Sequence, residues 1–231
     1  MPLHAGVSEV DIGAVFYLHG FASSPQSTKA RFFSERLAAH GLKLHCPDFN
    51  QPDFSSLTVS RMLQDLEKRI AALPPGNVFL IGSSLGGFVA VEAAARNVNR
   101  ARHPVTQLIL LAPALELEWE RWPEIGPGGV ERWRSNGSIE IFHYAHGNVQ
   151  PLGFSFYEDA IRYSPASRCL EMPMLIFQGR NDESVRPASV ERFARAQPRA
   201  ELRLLDDDHQ LKGSLNVIWA AIESLISEPG A

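Results

Sequence analysis

A short apolar run, Asn77-Val78-Phe79-Leu80-Ile81, passes directly into Gly82-Ser83-Ser84-Leu85-Gly86-Gly87, and small and apolar residues from Phe88 to Ala95 follow. The first stretch reads as a buried strand and the last as a helix, so the glycine-rich piece between them is a strand-to-helix turn. Gly82, Ser84 and Gly86 fit G-x-S-x-G, the pattern of a turn that holds its central serine in strained geometry with the hydroxyl exposed. A chance match in a chain of this Gly and Ser content has odds on the order of one in ten, so the flanking strand and helix carry the weight. Ser83, the rival nucleophile, lacks glycines at both offsets. A strand passing into a helix through such a turn is the unit of an α/β protein, and the recurrence of apolar runs and helical segments along the chain argues for a mostly parallel sheet with crossover helices.

The rest of the chain repeats the alternation. Val15–Leu18 reads as the first buried strand and runs into His19-Gly20. From about Ser27 to His40 a helix places Ala30, Phe33 and Leu37 on one face and stops at Gly41. Leu42–Cys46 reads as a second strand stopped by Pro47, and Thr58–Leu73 as a helix with Leu63, Leu66, Ile70 and Leu73 in line. Further strands are predicted at Gln107–Leu111, Met174–Phe177 and Leu202–Leu205, with helices near Val190–Ala196 and Leu215–Ile226. This gives about six strands with helices on both faces, in one domain spanning 1–231. Residues 114 to about 165 break the rhythm with Trp119, Trp122, Trp133, Phe142, Tyr144, Phe154, Phe156, Tyr157 and Tyr163. A bare loop of that length is uncommon in a compact domain, so an inserted cap segment is expected there.

A serine hydroxyl needs a base within hydrogen-bond reach, usually a histidine oriented by a carboxylate. After the Met174–Phe177 strand comes Gly179-Arg180-Asn181-Asp182-Glu183-Ser184-Val185, and after the last strand Asp206-Asp207-Asp208-His209-Gln210-Leu211. Both turns fall at the carboxyl ends of parallel strands, where such sheets bind ligands. Asp182 and His209 are therefore the candidate acid and base, with Glu183 and Asp206–Asp208 as rival carboxylates that also suit turns or caps. The turn His19-Gly20-Phe21-Ala22-Ser23-Ser24 is placed to supply an oxyanion donor: Phe21 is one candidate N–H and Leu85 the second. His19 is expected to shape that turn rather than to transfer protons. Phe21, Trp119, Trp122 and Trp133 are candidates for an apolar substrate surface, the alternative being that the aromatic residues only fill the insertion's own core. Arg180 reads as a solvated loop residue rather than an anion contact.

YLHGFASSPQSTKA followed by IGSSLGG resembles the small bacterial YqiA-type esterases of the α/β-hydrolase superfamily. The superfamily pattern extends over nearly the whole chain, and the closer match is confined to about the first 90 residues; the aromatic segment after residue 114 lies outside it. The resemblance implies hydrolysis of a small-molecule carboxylic ester or thioester with no metal and no organic cofactor. Carbon–carbon bond hydrolysis, amide hydrolysis and a catalytically silent binding protein remain alternatives on the same fold.

Composition trims the other classes. A net charge of -4 without any block of five or more like charges gives nucleic acid no footprint. No stretch approaches the roughly 18 uncharged apolar residues that span a bilayer. The N-terminal MPLHAGVSEVDIGAVF lacks the basic region, apolar core and cleavage site of a secretory signal, which leads to an expected cytoplasmic location. His143 and His146 invite a metal reading but have no third ligand at a diagnostic spacing. The two cysteines, Cys46 and Cys169, are too few for a disulfide framework and read as small buried hydrophobes.

Overall fold

The computed structural model describes residues 12–97 and 101–227. The first 11 residues of the stretch read above for a leader therefore lie outside the described residues. Six strands form one parallel sheet: β1 (Ile12–Leu18), β2 (Leu44–His45), β3 (Asn77–Ser83), β4 (Val105–Leu111), and, after a long excursion described below, β7 (Met174–Gly179) and β8 (Ala200–Leu205). Their spatial order is β2-β1-β3-β4-β7-β8. The connecting helices are α1 (Thr28–Ala39), α2 (Val59–Ala71), α3 (Leu85–Asn97), α6 (Pro187–Arg195) and α7 (Leu215–Ser227).

Alternation along each strand splits the core in two. Phe16, Leu18, Leu80, Leu108, Leu110 and Ile176 pack toward α2, α3 and α6. Val15, Tyr17, Phe79, Ile81, Ile109 and Phe177 pack toward α1 and α7, where Phe33, Leu37, Ile218 and Trp219 meet them. With both faces covered, the inner strands β1, β3, β4 and β7 are apolar over most of their length, which is why they read as near-continuous runs in the sequence, whereas the edge strands β2 and β8 are not buried. Among the described residues no helix is long and apolar enough to cross a membrane.

The chain leaves β1 toward β2 and returns on β1's other side as β3, so the winding reverses between β1 and β3. The crevice at such a reversal lies beyond the strands' carboxyl ends, here the turn after Leu18 and the turn after Ser83.

All six sheet strands lie where the apolar runs predict them, with two differences at the edges. The second strand shrinks to Leu44–His45, because an edge strand with one neighbour pairs only through Val15 with Leu44 and Phe16 with His45. Helix α3 starts at Leu85 rather than near Phe88, since the glycine-rich turn is already the helix's first turn.

Between β4 and β7 the chain builds α4 (Gly129–Asn136), an antiparallel hairpin of β5 (Ser138–His143) and β6 (Asn148–Gly153), and α5 (Ser155–Ala160). Gly153 N–H donates to the Ser55 carbonyl at 2.9 Å, and Asp159 accepts from the Ser60 hydroxyl and N–H at 2.6 and 2.7 Å, fixing this segment to the loop and first turn of α2. Its return to the sheet is anchored by Arg168, which donates twice to Glu92 of α3 at 3.1 and 2.9 Å. The cysteines depart from expectation: Cys46 is half-buried and Cys169 exposed, because both sit in connections rather than on the inward faces of strands.

Candidate active site

Strand β3 delivers Ser84 to the carboxyl edge with φ +52°, the left-handed conformation that turns the chain from strand to helix within one residue. The turn is held by Ser84 N–H donating to the Leu111 carbonyl at 2.9 Å and by the Ser84 carbonyl accepting from Gly87 and Ala114 N–H groups at 2.8 and 3.1 Å. A Cβ on Gly82 would lie 2.5 Å from the Gly86 carbonyl oxygen, so no larger residue lets the helix fold back this tightly.

Two loops on the far side of β4 bring up the partners. Asn181 N–H donates to the Asp207 carbonyl at 3.1 Å and Arg180 N–H to the Leu205 carbonyl at 2.8 Å, zipping the loop after β7 to the loop after β8. As a result His209 Nδ1 stands 2.8 Å from Asp182 Oδ2, and His209 Nε2 stands 3.0 Å from Ser84 Oγ. Asp182 is buried, whereas Glu183, Asp206 and Asp208 are exposed and Asp207 is half-exposed. Asp206 accepts from Asn181 Nδ2 at 3.1 Å and Asp208 from Gln210 N–H at 2.7 Å, so the rival carboxylates shape the loops and Asp182 alone meets the ring. Arg180 is exposed.

Burial raises the cost of charge on Asp182, but hydrogen bonds from His209, Val185 N–H and the Gln178 amide outweigh it and hold the carboxyl below its ordinary range. With Asp182 ionised, the imidazole carries its proton on Nδ1 and presents a bare Nε2 to the Ser84 hydroxyl. That geometry allows the serine to lose its proton as it attacks.

The turn after β1 abuts the serine. A Cβ on Gly20 would lie 3.3 Å from both Ser84 Cβ and the Ser83 carbonyl oxygen. Among the described residues neither the Phe21 nor the Leu85 N–H has a protein acceptor, and Leu85 opens a helix, whose first N–H groups lack intrahelical partners. His19 is buried, with Nδ1 2.9 Å from the Gly20 carbonyl and Nε2 accepting from Phe49 N–H at 3.1 Å. Both ring nitrogens are occupied in holding backbone.

The Phe21 ring lies 4.9 Å from Trp122 and 5.7 Å from Phe156, and Trp119 stacks obliquely on Trp122 at 5.2 Å. Phe21, Trp119 and Trp122 keep partial exposure. Trp133 departs from the expectation of a ligand-facing ring: it is fully buried and its indole N–H donates to the Leu152 carbonyl at 3.0 Å, so it fills the insertion's own core. His143 and His146 stack ring on ring at 4.0 Å, with His143 Nε2 bonded to Asn50 and His146 Nδ1 to Gln150.

Two supporting groups escaped the sequence reading. Gln178, buried at the end of β7, donates to Asp182 Oδ2 at 2.8 Å, and Lys29 of α1 donates to the Gln210 carbonyl, next to His209, at 2.7 Å. Burial lowers the Lys29 ammonium to about 8. Lys29 belongs to the YLHGFASSPQSTKA stretch, which was the available signal; Gln178 had none.

A family model described as "Uncharacterised protein family (UPF0227)" matches residues 14–225, so the family match runs through the aromatic segment and is not confined to the first 90 residues as the motifs alone suggest. No curated protein sequence matches the chain. Among solved structures, a hydrolase-type protein from Agrobacterium vitis S4 superposes with TM-score 0.81 at 22% identity, over 92% of this chain and 87% of that one. Alpha/beta hydrolase domain-containing protein 10 from mouse gives 0.75 at 20% identity, over 93% and 89%. Est1E from Butyrivibrio proteoclasticus with bound ferulic acid gives 0.74 at 19% identity, over 99% and 92%.

Proposed function

The chain belongs to the UPF0227 family and has the α/β-hydrolase fold, and from that premise we propose that it is a serine hydrolase of small carboxylic esters or thioesters. The observation that carries the reading is the unbroken series Ser84 Oγ to His209 Nε2 at 3.0 Å and His209 Nδ1 to Asp182 at 2.8 Å.

In this reading Ser84 Oγ attacks the carbonyl carbon while His209 Nε2 takes its proton, and Asp182 stabilises the imidazolium. The oxyanion is met by the Phe21 and Leu85 N–H groups, each typically worth roughly 10²- to 10³-fold in rate. The tetrahedral adduct collapses, the alcohol or thiol leaves with the proton from His209, and water repeats the sequence on the acyl-serine to release the acid. The segment 114–165 serves as a cap, and Phe21, Trp119 and Trp122 offer an apolar aromatic wall to the acyl or aryl group. Est1E binds ferulic acid, whose aryl ring lies on the acid side, which makes esters of aryl-substituted acids the first substrates to try.

The test is intact-mass labelling with a fluorophosphonate, wild type beside Ser84→Ala and His209→Ala. A single adduct on the wild type, absent from Ser84→Ala and strongly slowed in His209→Ala, is expected. An unlabelled but folded wild type that also leaves a panel of esters of aryl-substituted acids and acyl thioesters intact overturns the reading.

A further inference from the structure

The turn that carries Phe21 closes on itself through Ser23 N–H donating to the Gly20 carbonyl at 3.3 Å, and it is held further from outside. Ala22 sits at φ +51°, an unfavourable conformation for alanine, and the two carbonyls that follow the bend, those of Ala22 and Ser23, are held from outside the turn. The Ala22 carbonyl accepts from Ala145 N–H at 3.3 Å, and Ala145 belongs to the tip of the β5–β6 hairpin. The Ser23 carbonyl accepts from Asn50 Nδ2 at 2.8 Å.

Asn50 is itself fixed. Its Nδ2 also donates to Asp48 Oδ1 at 2.8 Å, so both donor positions are used and the amide has only one workable orientation. Its Oδ1 therefore accepts, and the group facing it at 3.0 Å is Nε2 of His143, the last residue of β5. This makes His143 an Nε2–H donor with a bare Nδ1, and that Nδ1 is buried without a hydrogen-bond partner. The ring is fully buried between Phe54, edge-on at 4.8 Å, and His146, stacked at 4.0 Å. The histidine leaves one nitrogen unpaired, yet an apolar ring in its place would strip Asn50 Oδ1 of its donor, so the side chain is used toward Asn50.

We propose that the tip of the β5–β6 hairpin positions the oxyanion turn, through His143, Asn50 and the carbonyls of Ala22 and Ser23, so that the donor at Phe21 is in place only while the inserted segment is docked. His143 and Asn50 are positioning residues that touch no reacting atom. The proposal rests on the serine-hydrolase reading, and it couples the segment that covers the site to the group that stabilises the transition state.

An oxyanion donor acts on charge that exists only in the transition state, so disturbing it lowers kcat and spares KM. The experiment is steady-state hydrolysis of a p-nitrophenyl ester by wild type, Asn50→Ala, His143→Phe, His143→Gln and the Asn50→Ala/His143→Phe pair, each verified as folded by circular dichroism. Asn50→Ala is expected to lower kcat about 10²-fold and His143→Phe about 10-fold, with KM within twofold of wild type. His143→Gln restores an N–H toward Asn50 and recovers kcat to within about threefold. The double variant is no worse than Asn50→Ala, because the two residues act through one carbonyl.

Wild-type kcat in the folded single variants, a loss carried by KM, or a glutamine variant as impaired as the phenylalanine one overturns the coupling. If Asn50→Ala does not fold, the contrast between His143→Gln and His143→Phe decides alone. A wild type that neither hydrolyses the ester nor takes the fluorophosphonate defeats the hydrolase reading instead, and the two failures are thereby distinct.

Discussion

Replacing Gly86 by alanine tests how closely the two halves of the site are pressed together. An ideal Cβ on Gly86 would lie 1.9 Å from the Leu18 carbonyl oxygen, 2.5 Å from its carbon and 2.9 Å from the His19 carbonyl oxygen. An ordinary carbon–oxygen approach is about 3.3 Å, so the end of β1 and the start of α3 must part by roughly 1.4 Å. The obstacle is backbone on both sides, which cannot rotate away. Overpacking of this kind costs about 3 kcal/mol, the upper end of its usual range, and in a chain of this size lowers Tm by roughly 6–12 °C. The displaced pieces carry Ser84 on one side and the His19–Ser24 turn on the other, and a misplacement of about 1 Å in a catalytic geometry is worth about 10²-fold in rate. Thermal unfolding is read beside kcat for a p-nitrophenyl ester, with Ser84→Ala as the variant that loses turnover and keeps Tm. A Gly86→Ala protein that melts within 2 °C of wild type and retains kcat within about threefold would refute the close approach, since no relaxation smaller than about 1 Å removes the clash.

Four other outcomes follow from three sets of groups. Asp182→Asn keeps the shape of the acid but leaves His209 in the wrong tautomer, and kcat for ester hydrolysis is expected to fall about 10⁴-fold. Because the fold holds the Asp182 carboxyl below its ordinary 3.8, its contribution to stability is complete above that value and drains away as pH falls through the lowered one; urea midpoints between pH 2 and 5 should fall less steeply in Asp182→Asn, and parallel curves would count against the shift. Burial pushes the Cys46 thiol from 9.0 up to about 12, so iodoacetamide at pH 8 should modify exposed Cys169 first and Cys46 about 10³-fold more slowly than an unperturbed thiol, with equal rates in peptide mass spectra contradicting this. Arg168→Leu strands the fully buried Glu92 and should destabilise by roughly 2–3 kcal/mol in urea, and most of that loss should vanish when Glu92→Leu is added.

What could be read from the sequence follows the physics of each element. Strands such as Val15–Leu18 and Asn77–Ile81 are covered on both faces and so announce themselves as unbroken apolar runs. Ser84 and Asp182 follow such strands and His209 follows the less apolar edge strand β8, and the parallel sheet brings its carboxyl ends to one edge whatever lies between. The hairpin was illegible for the converse reason. Its β5 alternates Glu140 and exposed Phe142 with buried Ile141 and His143, and its β6 contains Pro151, so neither strand has a run or a clean period. These strands are held by Trp133 and by docking at Ser55, contacts of the finished fold rather than of the local sequence. Asn50 and His143 lie 93 residues apart, and nothing in either neighbourhood announces the other. Trp133 shows the limit from the other side: an aromatic-rich segment gives the number of rings but not which of them face a ligand.

The backbone itself singles out the site. Among the described residues, the non-glycines with positive φ are Ala22, Ser84, Ala112 and Leu211. They lie in the turn after β1, at Ser84, at the end of β4 and two residues beyond His209, all at the carboxyl edge of the sheet. Each such residue costs of order 1–3 kcal/mol and persists only where its surroundings over-determine it. The surroundings can be named: Leu111 and Ala114 hold Ser84, the Phe177 carbonyl holds Ala112 N–H at 2.8 Å, and the Asp208 carbonyl holds Leu211 N–H at 3.3 Å. Those three are fixed by the sheet or by loops attached directly to it. Ala22 is the exception, because part of what holds it comes from the hairpin tip, at Ala145. Of the four strained positions it is the one whose restraint can be withdrawn without unfolding the sheet, and for that reason the turn after β1, rather than Ser84 or His209, is where movement of the inserted segment would be felt.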